Sequence, residues 1–205
     1  MPTGPGGLDA NGVWQYGEDD TEALASDLLN LGMGSVSTAI TNLEPVGVFQ
    51  LVSTSLLSTY SESLFSGVTS TDVVTGLTAT ITPISASSKI LVRVSVHCAN
   101  SGQFGEGAFV MRRGSTAIGL PNVSGSRPRL TSQGGAISNA AADLALLSME
   151  FLDTPATTSE IVYGISLHNS DGTTETVFVN RSATNTDGSR FSNPISTITL
   201  MEVAS

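Results

Sequence analysis

The sequence predicts a mainly β protein: an antiparallel, jelly-roll-like β-sandwich preceded by a short extended leader and a helix. Three observations carry this expectation. After Pro45 the apolar residues recur with a period of two rather than three to four. Serine and threonine supply about a quarter of the 205 residues, while charged residues supply only 13%, which suits strands whose exposed faces are hydroxylated rather than charged. Turn signals such as Gly114 and Asp171-Gly172 separate the periodic runs.

Two domains are expected, residues 1–44 and 45–205. Residues 1–20 form a leader rich in Gly, Pro and Asp. Residues 21–31, TEALASDLLNL, read as a short helix that Thr21 can cap. Its first turn is acidic, as the helix dipole favours. Leu24, Leu28 and Leu31 fall at i, i+4 and i+7 and make one apolar stripe, for packing or for a trimer contact. Val36, Ile40 and Leu43 repeat the spacing. Helices this short are marginal alone and need a surface to pack on.

Beyond Pro45 the strand expectations run in order: VGVFQLV (46–52), GLTATITP (76–83), KILVRVSVH (89–97), AFVMRR (108–113) and STAIGL (115–120). DLALLSMEFL (143–152), IVYGISLH (161–168), TVFVNR (176–181) and STITLMEVA (196–204) complete the set. In KILVRVSVH the residues Ile90, Val92, Val94 and Val96 share one face; in IVYGISLH the residues Ile161, Tyr163, Ile165 and Leu167 do. Eight or nine strands without an intervening helical pattern argue for a sandwich or jelly roll.

Charge excludes some functions. The net charge is −10, and residues 1–44 hold seven acids and no base. Such a balance opposes nucleic-acid binding, which needs clustered Lys and Arg. The one cysteine, Cys98, ends an apolar run and reads as a small buried hydrophobe, with no disulfide or cysteine zinc cluster to join. No apolar run approaches a membrane span, so no membrane insertion is expected. The start, MPTGPGGLDA, has neither the basic nor the apolar region of a secretory signal. Synthesis and retention in a cytoplasm, or release by lysis, is the expectation.

Catalytic signals are thin, and an enzyme is not expected. His97 and His168 each end a strand run, and no G-x-S-x-G elbow accompanies them. Glu106, Asp143, Glu150 and Asp153 are the acids available for a glycosidase pair, and nothing in the spacing joins two of them. The acidic run GEDDTE (17–22) lacks the alternation of a calcium loop and reads as a solvated helix entry. GQFGEG (102–107) reads as a turn rather than a phosphate loop, and Lys89 as a solvent-facing lysine. No cofactor or metal is called for. In SGSRPRL (124–130), Arg127 and Arg129 flank Pro128. They can grip an acidic sugar or phosphate, or pair with acids in the sheet or across a subunit contact; the second reading is favoured because acids outnumber bases.

The stretches VTGLTATITPISASSKILVRVSV, RRGSTAIG, GSRPR, FLDTPATTSEIVYGISL, VFVNRSATNTDGSR and STITLMEVA occur in this order from Val74 onward. In them the chain resembles the knob domain that closes many bacteriophage tail fibres and minor structural proteins, notably those of marine cyanophages. The resemblance implies a β-sandwich knob that typically forms a homotrimer, with GSRPR as a recurrent feature. The leader, GLDANGVWQYGEDD with SDLLNLGMGSVS, is similar to N-termini of minor tail proteins of actinobacterial phages. That similarity implies an adaptor docking on other virion proteins.

Together the resemblances imply a virion location after synthesis in the host cytoplasm. The function implied is that of a short trimeric tail fibre or tip protein binding a host-surface glycan or protein. A head fibre or capsid decoration protein is the alternative, and a polysaccharide depolymerase ranks lower. Leu8, Val13, Trp14 and Tyr16 are the expected virion anchors. The only tryptophan lies in the leader, where ordering the backbone costs more than burial of a single indole returns. The leader is therefore expected to order only on a partner.

Overall fold

The computed structural model describes residues 7–8, 14–15, 48–102, 107–134, 144–170 and 172–204. The chain divides into two units, Met1–Pro45 and Val46–Ser205. In the first, β1 (Gly7–Leu8) pairs antiparallel with β2 (Trp14–Gln15), setting Gly7 opposite Gln15 and Leu8 opposite Trp14. The leader thus pairs with itself over two rungs, where no secondary structure of its own was expected. The expected helix with Leu24, Leu28 and Leu31, and the anchor candidates Val13 and Tyr16, lie outside the described residues.

The second unit contains eleven strands among its described residues, more than the eight or nine expected. They are β3 (Val48–Leu56), β4 (Tyr60–Leu64), β5 (Ala79–Ile81), β6 (Lys89–Asn100), β7 (Ala108–Arg113) and β8 (Thr116–Ile118). Then follow β9 (Ser132–Gln133), β10 (Ala145–Asp153), β11 (Ile161–Leu167), β12 (Glu175–Val179) and β13 (Ser196–Val203). All pairings are antiparallel and form two sheets. The larger is organised by β6. On one side β10 pairs with it from Ile90 to Cys98. On the other, β13 pairs with residues 89–95 and β12 takes over at residues 98–100. Outside these lie β3, on β13, and β4, on β12. The smaller sheet runs β5-β11-β7-β8, with β9 also on β7.

Parity along the strands builds the core. Ile90, Val92, Val94, Val96 and Cys98 of β6 are fully buried, as are Ile198 and Leu200 of β13. From the smaller sheet, Ala79, Ile81, Phe109, Met111, Tyr163, Ile165 and Leu167 join the same cluster. Each large aliphatic side chain withdrawn from water contributes about 1.5–3 kcal/mol. The result is a two-sheet antiparallel β architecture with the sandwich type of core.

Two buried asparagines hold β4 in place. Asn180, at φ +59°, donates from Nδ2 to the carbonyls of Leu56 (2.7 Å) and Ser58 (3.0 Å) and accepts from Ser196 Oγ. Asparagine tolerates this left-handed backbone better than most residues. Asn169 donates to Leu64 O (2.9 Å) and Thr173 O (2.8 Å). The carbonyls flanking β4 are thereby satisfied by side chains from the opposite half of the chain. β4 escaped the period-two reading because Glu62 occupies a core-side position between Tyr60 and Leu64. Its carboxylate is held there by Ser70 Oγ at 2.6 Å and Tyr60 Oη at 3.3 Å.

Candidate functional site

The segment between β8 and β9 is the longest described stretch without sheet pairing that is exposed along its length: every residue from Pro121 to Arg129 faces solvent. Its sequence, PNVSGSRPR, explains why it does not continue the sheet. Pro121 and Pro128 lack the donor a ladder needs. Gly125, at φ +59°, makes the tip, where Arg127 N donates to Ser124 O at 3.3 Å. At the loop's entrance, Gly119 has φ +62°, and a Cβ there would crowd the Phe151 ring at 3.2 Å.

The loop is held open at its base. Thr131 is buried and bonds three ways: its N–H to Phe109 O (3.0 Å), its Oγ1 to Ile118 O (3.2 Å), and Met111 N–H to that same Oγ1 (2.9 Å). Arg129 Nε donates to Pro121 O at 2.7 Å and straps the two legs together. One guanidinium is therefore used inside the loop, while Arg127 and the 73%-exposed Val123 project from it. Neither arginine forms an ion pair with an acid among the described residues.

The remaining polar candidates are placed separately. His97 Nδ1 lies 3.0 Å from Ile195 O, which makes that nitrogen the donor. His168 is buried, with Nδ1 2.8 Å from Thr69 Oγ1 and Nε2 without a hydrogen-bond partner among the described residues. Burial holds its pKa below the usual imidazole value. Burial likewise pushes the Cys98 thiol up to about 12.

Glu150 and Asp153 face opposite sides of β10. Glu150 pairs on the outer face with Arg93 at 3.1 Å. Asp153 points between the sheets, where Arg113 Nη1 reaches both of its oxygens at 3.1 and 3.0 Å and Tyr163 Oη donates at 2.7 Å. These two acids do not face one another, and Glu106 and Asp143 lie outside the described residues. Glu202 is buried at the end of β13. Burial opposes its ionisation, but hydrogen bonds from Gln50 Nε2, Ile84 N–H (2.8 Å) and the Ser85 backbone hold its pKa below the ordinary glutamate value.

No group of three or more metal-ligating side chains gathers among the described residues. No helix among them is long and apolar enough to cross a membrane. Sequence reasoning missed Thr131, Asn169, Asn180 and the Asp153–Tyr163 contact. Parity carried a signal for the last: in ALLSMEFLD the aspartate falls in step with the core-facing Ala145 and Leu147.

The fold places the chain among two-sheet antiparallel β proteins. No protein-family model matches it, and no curated protein does.

Proposed function

We propose that this is a virion structural protein: a short homotrimeric tail-fibre or tip protein. Residues 1–44, with Leu8, Val13, Trp14 and Tyr16, dock on other particle proteins. The β-sandwich, read as a jelly-roll-like knob, is displayed to the host surface. The observation that carries the reading is the loop from Pro121 to Arg129: wholly exposed, held at its base by Thr131 and Arg129, and offering Arg127 without an acidic partner among the described residues. Such a loop binds by fixed shape and loses little conformational freedom on contact. A guanidinium fork among serines suits an acidic or hydroxyl-rich glycan. Three copies multiply a weak contact through effective concentration. The ordered series of knob-like stretches from Val74 onward supports the same reading.

The test is binding of the purified full chain to host cells and to an array of envelope glycans, with Arg127→Ala alongside. Saturable binding weakened by the substitution supports adhesion through this loop. Absence of binding to either overturns the adhesion role.

A further inference from the structure

The strap in the Pro121–Arg129 loop uses only part of its arginine. Arg129 donates to Pro121 O from Nε alone. A guanidinium carries five N–H donors, four of them on the two Nη nitrogens. Those four have no partner among the described residues. The Nε bond restrains the side chain, so its free Nη edge is held with part of the rotamer entropy already lost. The Arg127 side chain has no partner among the described residues, while its backbone N–H is held by Ser124 O at 3.3 Å. Both arginines are exposed. Pro128 between them has a fixed φ and keeps Arg127 out of helical backbone. The two Cα atoms are therefore at most about 7 Å apart, within the reach of two arginine side chains on one ligand group.

The surrounding charge favours an anion. Residues 107–134 contain four of the chain's eight bases and no acid. Elsewhere in residues 45–205, eleven acids face four bases. Within the basic segment Asp153 neutralises Arg113. Arg112 is held by neutral oxygens only, those of Ser166 Oγ, Ser115 O and Ser70 O. Arg112, Arg127 and Arg129 thus keep their positive charge on a segment that runs from β7 through the loop to β9. In a chain that is otherwise acidic, such a reversal of sign draws anions to this place.

Geometry narrows the anion. Guanidinium forks match oxyanions with paired hydrogen bonds. A carboxylate offers its lone pairs in one plane, so two forks must lie in that plane to share it. A phosphate offers its oxygens tetrahedrally and can meet two forks that are not coplanar. Here one fork is strapped and the other is free, and they leave the backbone at different positions. Two arginines fall short of the clustered basic footprint of a nucleic-acid surface, which leaves a phosphate carried on a glycan. Ser124 and Ser126, both exposed in the same loop, add hydroxyls for the sugar beside it.

We propose that Arg127 and the Nη edge of Arg129 form a two-fork site for a phosphate group borne on a surface glycan. The proposal rests on the adhesion reading above and names the group that the loop recognises. It is tested by following backbone and arginine side-chain NMR signals of the full chain as inorganic phosphate is added at constant ionic strength. Acetate serves as the carboxylate probe and mannose as the neutral one. Arg127→Lys and Arg129→Lys keep the charge and remove the fork, and urea melting establishes that each folds. Arg127→Lys leaves the Arg129 strap in place, so its result stands even where Arg129→Lys loosens the loop.

The expected result is saturable shifts over residues 122–129 with phosphate, a weaker response to acetate and none to mannose. Each lysine variant should bind phosphate about tenfold more weakly or worse, the loss of one charge-assisted fork. No saturable shift, undiminished binding by Arg127→Lys, or acetate binding that equals phosphate binding overturns the site. Host cells stripped of phosphate esters should no longer bind the chain. Retained binding to them overturns the phosphate site and leaves adhesion standing. Phosphate binding through both arginines without adhesion to untreated cells leaves the site standing and overturns the adhesion reading.

Discussion

Asp153 and Tyr163 join the two sheets: the tyrosine hydroxyl of the smaller sheet donates to the aspartate of the larger at 2.7 Å. Arg113 completes the clasp with two contacts to the same carboxylate. Burial and the adjacent Asp153 carboxylate raise the Tyr163 pKa, so the hydroxyl stays protonated and remains a donor. Tyr163→Phe removes one charge-assisted bond and should cost about 1.5–3 kcal/mol. Asp153→Ala leaves both donors without their acceptor and should cost about 3–5 kcal/mol. Urea unfolding at neutral pH measures both. Equal, sub-kilocalorie effects would show that the clasp does not hold the sheets together.

His168 makes the fold sensitive to mild acid. Its folded pKa lies below the unfolded value because burial penalises the imidazolium. The unfolded chain therefore binds the proton more readily. Stability attributable to His168 is full above about pH 6.5 and is lost as pH falls below it. Glu202, whose pKa is also lowered, acts in a lower window, below the ordinary glutamate value of 4.5. Unfolding free energies between pH 7.5 and 5 should decline, and His168→Gln should flatten that decline. An unchanged slope in the variant refutes the assignment.

Cys98 should be inert in the native protein. It is fully buried, and its thiol is pushed up to about 12, so thiolate is scarce at neutral pH. A colorimetric thiol reagent should react with it only after denaturant is added. The backbone of Gly107 passes so close that a Cβ there would overlap the Cβ of Cys98. Gly107→Ala should therefore destabilise by about 1–3 kcal/mol through overpacking and open Cys98 to the reagent. A native chain that titrates one thiol at pH 7.5 contradicts this.

Removal of residues 196–205 should abolish folding. β13 lies between β3 and β6, and its loss strips Ile198 and Leu200 from the core and the Ser196 hydroxyl from Asn180. The deleted chain should lack a cooperative melt by circular dichroism. A soluble deletion with native strand content would show that the sheet closes without β13.

Trp14 lies opposite Leu8 in the two-rung ladder of the leader. A two-stranded ladder this short has little stability of its own. Trp14→Ala should sharply reduce incorporation into particles, read by immunoblot of purified virions, while leaving the sandwich's urea midpoint unchanged. Normal incorporation would remove the anchoring role.

Much of the fold was legible because alternation is a local signal. AFVMRR and IVYGISL were read with their strand limits nearly as observed, and the core-facing set of KILVRVSVH is the buried set. β4 was not legible, because Glu62 occupies a core-side position and the asparagines that satisfy the flanking backbone carbonyls lie more than 100 residues away. The RPR loop was visible as a loop. That Arg129 is spent on Pro121 O, leaving Arg127 to project, depends on how Thr131 anchors the base.

By itself the sequence determined which residues alternate, and hence which side of each strand turns inward, since side-chain direction follows from backbone pleat alone. Tertiary structure decided which strands meet and in what register. β6 exchanges β13 for β12 between Ser95 and Cys98. Leu51, Leu91, Leu152 and Met201, scattered over 150 positions, align in one row. Register between distant strands is set by their shared hydrogen-bond ladders and by the burial of one common core. No local window of the chain contains that information.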